Sequence, residues 1–130
     1  MLRILTIAAV VVLVLHGLIH LLGTAAYMRL AEIQGLPFKT TLLGGHWNLG
    51  ESGIWIYGAL WALAALGFWA AAAGWLAGWG GWQGMLMGVA LFSLLLTALD
   101  WSTAFMGVIV NLAILAALWL GPRLAVAFAP

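Results

Sequence analysis

Four basic and three acidic side chains punctuate an otherwise apolar chain, and the gaps between them predict its architecture. Between Arg3 and Arg29 lie 25 uncharged residues, between Glu51 and Asp100 lie 48, and between Asp100 and Arg123 lie 22. About 20 apolar residues in helical form cross a bilayer's hydrocarbon core. The outer gaps therefore hold one span each, and the middle gap holds two joined by a glycine-rich turn, "GWGGWQG". Lipid admits only helices or closed barrels. These runs are continuous rather than alternating, so the expected fold is all-α, a four-helix transmembrane bundle. The spans fall at about 4–28, 53–76, 83–101 and 103–121, with one long loop over 29–52. Residues 1–130 read as a single domain. The long loop is still apolar at "LPF" and "LLGGHW" and is expected to pack as an interfacial or re-entrant piece. "DWST" closes the last two spans into a hairpin.

Composition narrows the function classes. The chain is 67% hydrophobic and 5% charged, with mean hydropathy +1.21. A soluble domain needs far more surface charge, so the expected partner is the lipid bilayer. The absence of cysteine excludes disulfides, thiolate catalysis and iron–sulfur clusters. Net charge +1 leaves no basic footprint, so no nucleic acid is expected. The glycines match no nucleotide loop. Arg3 and the apolar run after it resemble a signal peptide. The run continues to Met28, so it reads as a retained helix. Arg3 and Arg123 balance Arg29 and Lys39 in the positive-inside count. The acid-free flanks of the terminal side favour both termini in the cytoplasm of a bacterial inner membrane. Trp75, Trp79, Trp82 and Trp119 suit one interface, and Trp47, Trp55 and Trp101 the other. Trp61 and Trp69 lie deeper. The Gly74/Gly78 and Gly84/Gly88 pairs read as close-packing positions inside the bundle, with a dimer seam as the lesser reading.

The few polar residues are not scattered. In the first span His16, His20, Thr24 and Tyr27 recur at four, four and three, which is one helix face. Ser93, Thr97 and Asp100 form a stripe on the third span, and Thr103, Gly107 and Asn111 one on the fourth. An even number of spans brings these stripes to the same side of the membrane. Unpaired polar groups in lipid cost several kcal/mol, so the stripes should face inward. The expected result is a one-sided polar pocket formed by His16, His20, Thr24, Tyr27, Thr97, Asp100, Thr103 and Asn111. Asn111 is expected to meet His16 or a carbonyl of the first span. His46 and Glu51 would stand at the mouth. The other half of the bundle offers little beyond Thr6 and Gln83.

Two motifs, "HGLIHLLG" (His16, Gly17, Ile19, His20, Leu21, Gly23) and "WSTAFMGVIVN" (Trp101, Ser102, Ala104, Gly107, Asn111), carry a family resemblance. With "GALWALAA" in the second span, the chain resembles an uncharacterised family of small four-helix bacterial membrane proteins. That family has an N-terminal HGxIHLxG helix and a late WSxAxxGxxxN helix. The resemblance implies the four-helix architecture and no reaction. In that family an acid often follows the Trp-Ser pair, whereas here Thr103 stands there and the acid is Asp100.

Three functions remain open from the residues. The leading one is a small-ligand-binding or accessory subunit, without catalysis and requiring no cofactor. A second is a metal or haem redox protein using His16 and His20, since histidines at i and i+4 can grip one ion. Haem is the weaker form of it, because no other span carries a histidine to face the pair. The third is a purely structural subunit, with the histidines as hydrogen-bonding glue between helices. A homo-oligomer, a larger membrane complex and a small organic ligand are all compatible partners. For Asp100, a cap or solvated turn is the favoured role over pairing with a histidine or cation.

Overall fold

A computed structural model describes the backbone of residues 2–127 and the side chains of residues 3–122. Four helices dominate: α1 (Leu2–Tyr27), α2 (Gly50–Leu76), α3 (Trp82–Leu99) and α4 (Trp101–Ala127). Their apolar stretches, Arg3–Tyr27, Gly50–Leu76, Trp82–Leu99 and Trp101–Pro122, are each long and apolar enough to cross a membrane. Helices α1 and α2 pack side by side, as do α2 with α3 and α3 with α4. One end of the bundle, the loop end, carries the long loop and the α3–α4 corner. The other, the terminal end, carries the start of α1, the end of α4 and the α2–α3 turn.

The helix ends follow local chemistry. Helix α2 stops in a Schellman turn, where the Trp79 amide reaches the Gly74 carbonyl at 2.8 Å and Gly78 takes φ +71°. Helix α1 stops in the same turn with Arg29 at φ +55°, a conformation that strains a residue with a Cβ. Helix α2 begins at Gly50, three residues before the expected 53, because Gly50 turns the chain directly from the loop into the helix. Helix α4 runs beyond the expected 121, straight through Pro122. A proline removes one helical donor, which lies here in the last turns of the apolar stretch rather than at its centre. Near its start α4 bends at Ala104 (φ −113°, ψ +21°).

Within the long loop, β1 (Thr41–Leu42) and β2 (Trp47–Asn48) pair antiparallel through a tight turn over Leu43–Gly45. Leu42 is buried, and Leu36 and Phe38 pack with it against Tyr27, Ile54 and Leu96. The loop is thus a small hairpin folded over the loop end.

The core divides by depth. In the terminal half it is wholly apolar: Val10, Leu13, Phe68, Ala71, Ala72, Leu86 and Ala90. In the loop half it is aromatic and polar, built on Tyr27, Tyr57 and Trp61. Of the two glycine pairs, only Gly74 packs closely, where a Cβ would lie 2.9 Å from Trp79 Cε3 and 3.5 Å from Trp82 Cβ. At Gly84 and Gly88 an added Cβ would meet nothing within 4 Å, so both face outward, and Gly78 serves the turn. Close packing between elements also falls at Gly17, Gly23, Gly58, Gly67 and Gly107. A Cβ at Gly17 would lie 2.5 Å from Trp69 Nε1, and one at Gly107 would lie 2.7 Å from Thr97 Cγ2. A Cβ at Gly23 would overlap the Trp61 ring.

Candidate functional site

The polar stripe of α1 faces inward. His16, His20, Thr24 and Tyr27 are all buried, as are Ser93, Thr97, Asp100 and Asn111. They form two layers.

The deeper layer is a closed ring of hydrogen bonds. His20 Nδ1 lies 2.9 Å from the His16 carbonyl one turn back. A carbonyl only accepts, so Nδ1 carries the proton, and in the neutral ring Nε2 accepts. Ser93 Oγ stands 2.7 Å from His20 Nε2 and donates to it. With its one proton spent, Ser93 can only accept from Asn111 Nδ2 at 2.8 Å. Thr97 independently imposes the same amide orientation. Its hydroxyl donates to the Ser93 carbonyl at 2.9 Å and accepts from Asn111 Nδ2 at 3.4 Å. Asn111 Oδ1 is therefore the acceptor for His16 Nε2–H at 3.2 Å. The cycle His16–Asn111–Ser93–His20–His16 ties α1, α3 and α4 together with one consistent proton direction. The two imidazoles meet edge to face, with centroids 4.7 Å apart. Phe68 packs on both rings, and Trp61 packs on His20.

Thr24 leads from this layer toward the loop end, donating to the Gly58 carbonyl of α2 at 3.0 Å. The outer layer centres on Asp100, 1% exposed. Its carboxylate accepts from the Tyr27 hydroxyl, from Lys39 Nζ and, at 3.2 Å, from Thr103 Oγ1. Lys39 also donates to Thr103 Oγ1 at 2.7 Å. The Asp100 carbonyl accepts the Thr103 and Ala104 amides at 3.0 and 2.8 Å. Asp100 is thus neither a solvated turn residue nor a partner of the histidines. Its backbone starts α4, and its side chain holds the loop to the corner.

His46 and Glu51, expected at a pocket mouth, are both exposed. His46 ends the hairpin turn, and Glu51 forms a surface ion pair with Arg29 at 3.1 Å. The structure does not bring them to the buried cluster. It adds four participants that the sequence reading left outside its site: Ser93, Lys39, Tyr57 and Trp61. Tyr57 ties α2 to α3 by donating to the Leu96 carbonyl at 2.6 Å. Trp61, buried beside His20 and Tyr27, holds the one fully buried side-chain polar atom without a hydrogen-bond partner among the described residues, its Nε1. Ser93 was visible as part of a stripe. Lys39 had a weaker signal, as one of two cations in the long loop on the side of a buried acid.

Among the described residues no three His, Asp or Glu side chains converge as a metal-binding group. With these proton positions the unprotonated ring nitrogens are His16 Nδ1 and His20 Nε2, and Ser93 already donates to the second. No family model, curated protein or solved structure matches the chain.

Proposed function

We propose that this chain is a non-catalytic, multi-pass protein of a bacterial inner membrane, acting as a rigid structural or accessory subunit. One observation carries the structural role: the hydrogen-bonded ring through His16, Asn111, Ser93 and His20 uses the histidines to join helices. A metal or haem taking His20 Nε2 would have to displace the Ser93 hydroxyl from it. Membrane residence is supported by the outer face, where Ile4, Leu15, Ile19, Ile56, Leu63, Leu95 and Ile109 all stand exposed on apolar helices. Water would penalise such a surface and lipid would not. Both termini are placed in the cytoplasm, on the acid-free side with Arg3 and Arg123.

The test is elemental analysis, an optical spectrum and thermal unfolding of the detergent-purified chain beside His16→Ala/His20→Ala. Metal-free, colourless protein whose midpoint falls in the double variant supports the structural reading. Stoichiometric metal or a haem band that vanishes in the variant replaces it with the redox reading. The chain lacks cysteine, so single cysteines introduced near residue 5 and at position 46 report sidedness without background.

A small organic ligand in the loop half is a second reading, favoured by the Trp61 indole N–H, which is buried, unpartnered and beside Tyr27 and His20. Stabilisation of the chain by a membrane lipid extract, abolished in Trp61→Phe, would promote it over the structural reading.

A further inference from the structure

In the terminal half α1 and α4 separate and leave an open groove of about 810 Å³. Ala113, Ala117 and Gly121 of α4 form one side of it, and Ala9 and Val12 of α1 the other. Trp75 and Trp82, stacked with centroids 4.3 Å apart and planes 2° from parallel, line it toward the terminal end. Leu13 and Val110 line it at its inner end, next to the His16–Asn111 bond. From Ile109 to Pro122 the groove follows α4 for about 20 Å at 1.5 Å per residue. One leaflet of hydrocarbon is about 15 Å deep, half of the bilayer core. The groove thus has the length and the apolar lining for one lipid chain entering from the terminal side.

Charge decides which lipid. Arg3 lies in the first turn of α1 and position 123 follows Pro122 along the α4 backbone, so the sequence sets both arginines at the end of the bundle where the groove opens. Glu32, Glu51 and Asp100, all the acids of the chain, belong to the loop end. Gln83, on the first turn of α3, adds a polar group at the mouth.

We propose that the α1–α4 groove is a binding site for one acyl chain of an anionic phospholipid, whose phosphate headgroup sits at the Arg3/Arg123 end. The site rests on the membrane-spanning reading above and is independent of the role of the histidine ring. Small side chains at Ala113, Ala117 and Gly121 keep the groove open, and the tryptophan pair marks the depth of the headgroup.

The full chain is reconstituted into vesicles of phosphatidylcholine alone and of phosphatidylcholine with phosphatidylglycerol of the same acyl chains. Flotation reads insertion, and native mass spectrometry of the released protein reads retained lipid. The expected result is insertion into both vesicles with one phosphatidylglycerol retained per chain. Arg3→Gln/Arg123→Gln should weaken that preference by about fivefold per arginine, the worth of one cation near an anionic surface. Ala117→Phe should fill the groove and abolish retention. The arginine variant lies outside the groove wall and keeps the test decisive if the phenylalanine variant does not fold. Insertion with equal retention of the two lipids overturns the site. So does phosphatidylglycerol kept at wild-type level in folded Ala117→Phe, or a lipid-free dimer, which would assign the groove to a second copy. Failure to float with either vesicle overturns the membrane reading itself and the site with it.

Discussion

The two halves of the bundle solve helix packing differently. In the loop half, helices are joined by directed bonds. His16, His20, Ser93 and Asn111 close a ring across three helices, Thr24 and Tyr57 reach backbone carbonyls of α2 and α3, and Asp100 with Lys39 pins the hairpin down. In the terminal half the core is held by Phe68, Leu13, Leu86 and their alanine neighbours, and α1 and α4 part to leave a groove. Apolar side chains gain little from one another over lipid, because lipid tails are as apolar as leucine. A half with an apolar core can therefore open, whereas a half with a polar core must close, since each unpaired buried group costs more than the bond is worth. The difference separates a locked end from an adaptable one.

The most damaging way to break the locked end is to strand a charge. Lys39→Met leaves the Asp100 carboxylate buried without its cation. Removing one partner of a buried pair costs about 3–5 kcal/mol, and Lys39, 24% exposed at its side chain, places the loss near the lower bound. Unfolding in mixed detergent micelles should show it, and Lys39→Met/Asp100→Asn should recover most of the stability. If the double variant is no better than the single, Asp100 is not held by charge.

Next comes the ring. Asn111→Ala removes the acceptor of His16 and the donor to Ser93, an expected loss of about 2 kcal/mol from stranded polar groups. Removing both ends of the α1–α4 bond, as His16→Leu/Asn111→Leu, should cost less than the sum of the single changes. The expected coupling is no more than about 1.7 kcal/mol, the upper value for such bonds in membranes. A double-mutant cycle with zero coupling would dissolve the ring as a unit.

Legibility followed the same division. Charge-free runs placed all four helices, because length and hydropathy alone decide spanning capacity. The inward stripe of α1 was readable from its i, i+4 spacing, and the match of Asn111 to His16 from equal depth. What spacing cannot carry is direction across helices. Gly17 and Gly84 sit in similar apolar surroundings, yet one lies under Trp69 and the other faces outward. The Lys39–Asp100 pair depends on how the hairpin folds back, a non-local event with no periodic signature. Pro122 lies inside α4 although a proline with a preceding glycine reads as a helix end.

The glycines give a finer comparison between the halves. Gly17→Ala would press a methyl group into the Trp69 indole, whose N–H donates to the Val14 carbonyl at 3.1 Å. Gly23→Ala would do the same to Trp61. Overpacking of this kind costs about 1–3 kcal/mol, read as a lower unfolding midpoint and a wider spacing of α1 and α2 in cross-linking.

The smallest effect is expected at Gly84 and Gly88, near the terminal end of α3, where the sign itself is informative. Both are helical and exposed, and a Cβ there meets nothing within 4 Å. Glycine in a helix interior is less favourable than alanine by about 0.5–1 kcal/mol because it surrenders more backbone freedom. Gly84→Ala/Gly88→Ala should therefore leave the monomer unchanged or slightly more stable in thermal unfolding. A loss would mean that another helix lies against this face in the assembled protein, since glycines four apart permit the close approach that a methyl group blocks. Sedimentation of the same variant in detergent separates the cases. An unchanged monomer keeps the outward glycines as plain lipid-facing surface, and a species that dissociates on substitution makes them the seam through which a structural subunit meets its partner.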